Sequence, residues 1–257
     1  MIELDGEPAG PGALASLALT NYGHFTTLLV ENGRVRGLEL HLERLIRDCR
    51  TLFDAALDPG RVRKLARRAA PEHGRATVRV TVFDPALNLG NIAADARPGI
   101  LVTSRPAPDK PPGPLRVRSV VHRRDLPEVK SVGLFPTLRL RRQAQRAGYD
   151  DVLFTGADGD LLEGGTWNIG LVRDGEVVWP GGEVLAGTTR QLLRRATDGP
   201  TELVGLADLD SVEAVFATNA AVGVRPVTGI DDRAFPAAHP SVTRLAEIYQ
   251  ALPGSPL

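Results

Sequence analysis

LPEVKS (Leu126 to Ser131), LLEGGTWNIGLV (Leu161 to Val172) and LAGTTR (Leu185 to Arg190) follow one another in one stretch of the chain. In that order they offer one amine, one carboxylate and one anion-binding turn. Between them lie a strand (Asn168 to Val172), a hairpin turn at RDGE (Arg173 to Glu176) and a helix (Thr188 to Ala196) that begins after Gly187. Strands joined by hairpins with helices interspersed indicate an α+β fold rather than a doubly wound parallel sheet. The amine is conspicuous because the chain has only three lysines (Lys64, Lys110, Lys130) against 28 arginines. Arginine stays protonated and cannot form an imine, whereas lysine loses its proton when desolvated. A lysine kept in an arginine-rich chain is either required as an amine or a chance survivor, and only its surroundings decide.

Working outward, Leu115 to Val121 and Asp151 to Phe154 read as strands and Leu134 to Ala147 as a helix with Gly148 as its cap. Val212 to Ala217 is a further strand and Ser241 to Ala251 a closing helix. On the N-terminal side, Met1 to Glu3 and Thr26 to Val30 read as strands, separated by a Gly/Pro-rich passage to Gly12, and ENGR (Glu31 to Arg34) carries a tight-hairpin signature. Leu38, Leu42, Leu45, Ile46, Cys49, Leu52 and Phe53 recur at helical steps, with Pro59-Gly60 as the expected end and Arg61 to Ala70 as the next helix. Thr77 to Phe83 and Ile100 to Thr103 are strands. RPAPDKPPGP (Arg105 to Pro114) holds five prolines in ten residues and reads as a stiff linker. The expected division is therefore a domain over 1–104, a linker over 105–114 and a second domain over 115–257 that carries Lys130.

Composition bounds the function classes. The 257 residues carry a formal net charge of zero, which gives no electrostatic case for nucleic acid or an anionic membrane. No run approaches the roughly 20 apolar residues of a membrane span. MIELDGEPAG does not resemble a secretory signal, and the single cysteine, Cys49, suits a reducing compartment, so a cytoplasmic setting is expected. No G-x-G-x-x-G follows a strand, which argues against a dinucleotide site. No metal site is expected.

Lys130, Glu163, the Gly187 to Thr189 turn and Arg44 together suit pyridoxal 5'-phosphate. Its aldehyde needs a lysine, its ring nitrogen an acid partner, and its phosphate the N–H groups of a helix start with an arginine as countercharge. Each part alone has a plainer reading: a surface Glu, a helix cap, a solvated arginine. Their joint order carries the argument.

These residues resemble the class IV aminotransferases, pyridoxal-phosphate enzymes of fold type IV that include branched-chain and D-amino-acid aminotransferases and aminodeoxychorismate lyase. HLERL (His41 to Leu45) is similar to the family's phosphate-binding helix and implies that role for Arg44. LPEVKS implies Lys130 as the Schiff-base lysine, and LLEGGTWNIGLV implies Glu163 at the ring nitrogen with Asn168 structural. LAGTTR implies phosphate contacts from Thr188 and Thr189. The resemblance implies a two-domain fold with the cofactor between the domains, a homodimer, and a small-molecule substrate.

Departures bear on the reaction. Phe135 stands where branched-chain enzymes carry a tyrosine, and no arginine–histidine pair follows the Thr77 to Phe83 strand. GHFTT (Gly23 to Thr27) and Asn219-Ala220 in FATNA lean toward the lyase, and Asn219 is assigned to the cofactor site. Tyr22, His24 and Thr27 are expected near substrate, against the plainer reading of a loop histidine without a role. Arg79 is the candidate anchor for a substrate carboxylate, against the plainer reading of a strand-surface arginine. Transamination of a small amino acid or amine with a 2-oxo acid is the expected reaction. Elimination of pyruvate from 4-amino-4-deoxychorismate is the alternative, and a catalytically inactive binding protein the rival from another class.

Overall fold

The computed structural model describes residues 1–108 and 110–257; Asp109, within the expected linker, lies outside them. The chain divides into two compact units, Met1–Asp109 with Val129–Gly133 and Pro253–Leu257, and Lys110–Glu128 with Leu134–Leu252. The segment of Lys130 thus counts with the first unit, although the sequence suggested the second. The reason is backbone pairing: Phe25 N–H donates to Lys130 O at 2.9 Å and Val132 N–H to Gly23 O at 2.9 Å. Likewise, the C-terminal strand Gly254–Pro256 pairs with Arg34–Arg36.

The first unit is a seven-stranded antiparallel sheet in the order Gly254–Pro256, Arg34–Arg36, His24–Glu31, Arg75–Phe83, Gly99–Pro106, Ile2–Leu4, Glu7–Pro8. Its central strands alternate, so Leu28, Val30, Val78, Val80, Val82, Ile100 and Val102 reach one core with the helices Leu38–Phe53 and Pro59–Ala69. The hairpin at Asn32-Gly33 has φ of 49° and 72°, the left-handed pair that a two-residue turn needs. Pro59 opens the second helix rather than ending the first: Asp58 caps it by accepting from Gly60 N–H, and the first helix stops at Asp54 in left-handed conformation. The helix Pro11–Thr20 has no buried residue, which is why the apolar pattern gave no sign of it.

The second unit is built on a closed ring of six strands. Leu161–Gly164, Asn168–Arg173, Ala214–Asn219, Gly223–Ile230, Leu115–Val121 and Asp151–Thr155 pair in that order, and the last pairs with the first. The pairing of Asn168 with Glu163 closes the ring, so both residues sit at its seam. Leu115, Val117, Leu153, Leu161, Ile169, Leu171, Val215 and Val227 form one core of this unit. The helices Phe135–Arg146, Thr188–Thr197 and Pro240–Ala251 complete it, giving a mixed α+β chain as the sequence implied. Among the described residues no helix is long and apolar enough to cross a membrane.

Candidate active site

In the first unit, the helix Leu38–Phe53 buries a polar stripe, His41, Arg44 and Asp48, beside its apolar one. Three- and four-residue steps put these three on one face. Arg44 Nη2 donates to Thr26 Oγ1 at 2.7 Å, and Thr26 Oγ1 lies 2.7 Å from His41 Nδ1. The guanidinium can only donate, so Thr26 Oγ1 accepts from Arg44 and shares a second hydrogen bond with His41 Nδ1. Burial first, then the positive charges of Arg44 and Lys130, hold the His41 pKa well below the usual imidazole value. One contact of Arg44 is thus to a neutral hydroxyl, and the Asp48 carboxylate one turn further along the helix acts on it electrostatically.

Lys130 is half-buried at the edge of this sheet. Its backbone N–H donates to Asp48 Oδ2 at 3.0 Å, and its Nζ lies 4.9 Å from the Phe25 ring centroid. The Arg79 guanidinium lies over the same ring at 3.5 Å, with Nε donating to Thr81 Oγ1 at 3.2 Å. Burial lowers the Arg79 pKa, and no carboxylate pairs with it among the described residues. Thr27 stands opposite Arg79 in the ladder, so both lie on the Phe25 face of the sheet. His24 does not share that face. It is wholly buried on the helix-covered side, 6.1 Å from the Phe53 ring, with neither nitrogen hydrogen-bonded. Tyr22 stacks edge-on against Phe53 and donates its hydroxyl to Leu52 O at 2.8 Å. The sequence placed both at a pocket mouth; alternation along the strand turns His24 into the core, and the Tyr22 hydroxyl is already engaged.

In the second unit, Glu163 is buried with both oxygens engaged: Oε1 accepts from Arg124 Nε at 2.7 Å and Oε2 from Leu185 N–H at 3.2 Å. Arg124 was not singled out from the sequence; its signal was an arginine pair shortly before the lysine. Asn168 donates to Leu185 O at 2.8 Å, and a Cβ on Gly187 would stand 2.0 Å from Asn168 Oδ1. Glycine at 187 is thus required by the approach of Asn168, which fixes the turn leading into the helix Thr188–Thr197. The first N–H groups of any helix lack intrahelical acceptors, and here no side-chain cap accepts from them. Thr188 Oγ1 is buried there without a partner, whereas Thr189 Oγ1 reaches Tyr249 Oη at 3.5 Å. Asn219 Oδ1 accepts from Ala221 and Val222 N–H and shapes its own turn.

The turn from Glu163 to Asn168 is anchored from beneath. A Cβ on Gly164 would stand 1.9 Å from the Trp167 ring, and Trp167 Nε1 donates at 3.2 Å to the buried Asp151. Burial raises the Asp151 pKa against the opposing pull of Arg141.

A family model described as "Amino-transferase class IV" matches residues 23–230. A bifunctional aminodeoxychorismate lyase / D-amino acid transaminase of Mycobacterium tuberculosis is 26% identical, covering 98% of this chain and 96% of that protein. Among solved structures, a branched-chain aminotransferase from Thermoproteus uzoniensis with norvaline superposes with a TM-score of 0.84 at 20% identity, covering 97% of this chain and 93% of that one. A hypothetical aminotransferase from Mycobacterium tuberculosis, in its alpha-ketoglutarate and PMP bound form, gives 0.81 at 24% identity over 98% of each chain. The sheet-and-ring architecture, the buried Arg44 and Glu163, and a family match spanning both units lead to one conclusion: the chain belongs to the class IV aminotransferase family.

Proposed function

We propose that this enzyme is a pyridoxal 5'-phosphate-dependent aminotransferase, moving an amino group between a small amino acid or amine and a 2-oxo acid through Lys130. The observation that carries the reading is Thr188 Oγ1, a buried hydroxyl left without a partner at an uncapped helix start. A phosphate satisfies both at once. Each unit offers chemistry suited to the cofactor: Arg44 for a phosphate and Lys130 for an aldehyde in the first, and Thr188, Thr189 and the helix N–H groups for a phosphate with Glu163 for a ring nitrogen in the second. The relative in PMP bound form supports the same cofactor.

When bound, this cofactor supplies an aldehyde that takes up the amino group and a ring that accepts electrons from the substrate α-carbon. The chain does the rest. Lys130 would hold the cofactor through its aldehyde, and its Nζ, when free, would serve as the general base for the substrate α-proton. Arg124 and Leu185 N–H fix the Glu163 carboxylate, which would be the acid partner of the ring nitrogen. Arg79, desolvated and without an acid partner, takes the substrate carboxylate, with Thr27 beside it. Asn219 orders its own turn through Ala221 and Val222 N–H, and that turn would serve the cofactor site. A homodimer is part of the proposal, tested by sedimentation of the loaded enzyme, as is a cytoplasmic setting, tested by fractionation.

The lyase is a second reading, favoured by GHFTT, by Asn219-Ala220 and by the bifunctional name of the M. tuberculosis relative. One experiment separates the two. The loaded enzyme is mixed with a panel of L- and D-amino acids, and the visible cofactor band is followed. Conversion to the aminated cofactor with some donor supports the transaminase. No half-reaction with any donor, together with release of 4-aminobenzoate from aminodeoxychorismate, overturns it.

A further inference from the structure

The buried carboxylate of Asp48 has no part in the chemistry above, yet it meets the reactive lysine at its root. Asp48 is fully buried, its Oδ1 accepts from Arg47 Nη2 at 2.8 Å, and its Oδ2 accepts from the backbone N–H of Lys130 at 3.0 Å. The carbonyl of Lys130 is held from the other side by Phe25 N–H at 2.9 Å. Both backbone polar groups of one residue are thereby fixed, one by a helix and one by a strand. The helix that carries Asp48 also carries Arg44 one turn earlier, about 6 Å along the axis. The same helix therefore sets where the phosphate is held and where the lysine starts. Burying a carboxylate costs free energy unless donors compensate it, and Asp48 is compensated by donors at both oxygens.

We propose that Asp48 is a positioning residue: its hydrogen bond to Lys130 N–H holds the lysine at the distance from Arg44 that attachment of a phosphate-anchored aldehyde requires. The proposal rests on the function proposed above, and its test separates the two. Pyridoxine 5'-phosphate has no aldehyde, so its affinity reports the phosphate and ring contacts alone. The rate at which pyridoxal 5'-phosphate becomes fixable by borohydride onto the Lys130 peptide reports the placement of the lysine.

In cofactor-free full-length protein, Asp48→Leu is expected to slow attachment about tenfold or more, because displacements of an ångström carry penalties of that order. Pyridoxine 5'-phosphate affinity should not fall, since Asp48 is not a phosphate contact and losing its negative charge near Arg44 favours an anion. Asp48→Asn keeps an oxygen facing the lysine N–H and is expected to attach at close to the wild-type rate. If Asp48→Leu does not fold by circular dichroism, Asp48→Ala is read by the same two measurements. Attachment at the wild-type rate in the Leu or Ala variant overturns the proposal. So does an equal loss in both measurements, which a general structural role would give, or an Asn variant as slow as Leu. Wild-type protein that never attaches the cofactor at Lys130 overturns the functional reading as well.

Discussion

His24→Leu should stabilise the first unit and remove a defined part of its acid sensitivity. His24 is 0% exposed, and burial followed by the charge of Arg44 lowers its pKa from 6.5 to about 3. The folded pKa lies below the unfolded one, so the unfolded chain takes up the proton first as pH falls. Stability is full above pH 6.5 and is lost progressively as pH falls toward about 3. At pH 5 the unfolded histidine is largely protonated and the folded one is not, a difference of about 2 kcal/mol at ~1.4 kcal/mol per pKa unit. At pH 8 the linkage vanishes, and Leu gains only by removing two unpaired buried nitrogens, about 1–3 kcal/mol. Calorimetric melts of both proteins at pH 8 and pH 5 isolate the effect, because other groups titrate equally in the two and cancel. The melting-temperature gap should widen by roughly 4–8 °C from pH 8 to pH 5. A gap that does not change with pH would refute the reasoning, and with it the assignment of His24 to the core.

Trp167→Phe keeps the ring over Gly164 but removes the donor to Asp151, and should cost about 1.5–3 kcal/mol in denaturant unfolding at pH 7; an unchanged midpoint would show that the contact contributes nothing. Glu163→Gln should retain bound cofactor yet lose most activity, since an amide cannot stabilise a protonated ring nitrogen; loss of the cofactor instead would reassign the residue. Arg79→Leu should raise KM for the amino donor about tenfold or more through loss of a charge-assisted contact while cofactor affinity holds; an unchanged KM would remove Arg79 from the substrate site.

The parts of the fold with a period were legible in the sequence. Leu115–Val121 has the bounds that its β-branched pattern implied, and the Leu38 helix follows its apolar steps to Phe53. What escaped were elements without a buried face, such as Pro11–Thr20, and the closure of the second unit, which depends on one pairing between Asn168 and Glu163. At the site, rarity drew attention to Lys130 and block order to Glu163, Arg44 and Thr188. Arg124 and Asp48 were missed because each acts through a contact distant in sequence, 39 and 82 residues away. The 41-44-48 polar stripe was a readable sign of buried polar residues, masked by the stronger leucine pattern around it. The GHFTT resemblance points His24 at the substrate, whereas strand parity puts it on the core face with Leu28 and Val30.

The central claim is tested most directly at Lys130 itself. The purified protein is loaded with pyridoxal 5'-phosphate, reduced with borohydride and digested, and the modified peptide is identified by mass spectrometry. The account expects a yellow protein whose label sits on the peptide containing Lys130 and is absent from Lys130→Ala. Label on Lys64 or Lys110, or colour that survives reduction and persists in Lys130→Ala, would contradict it.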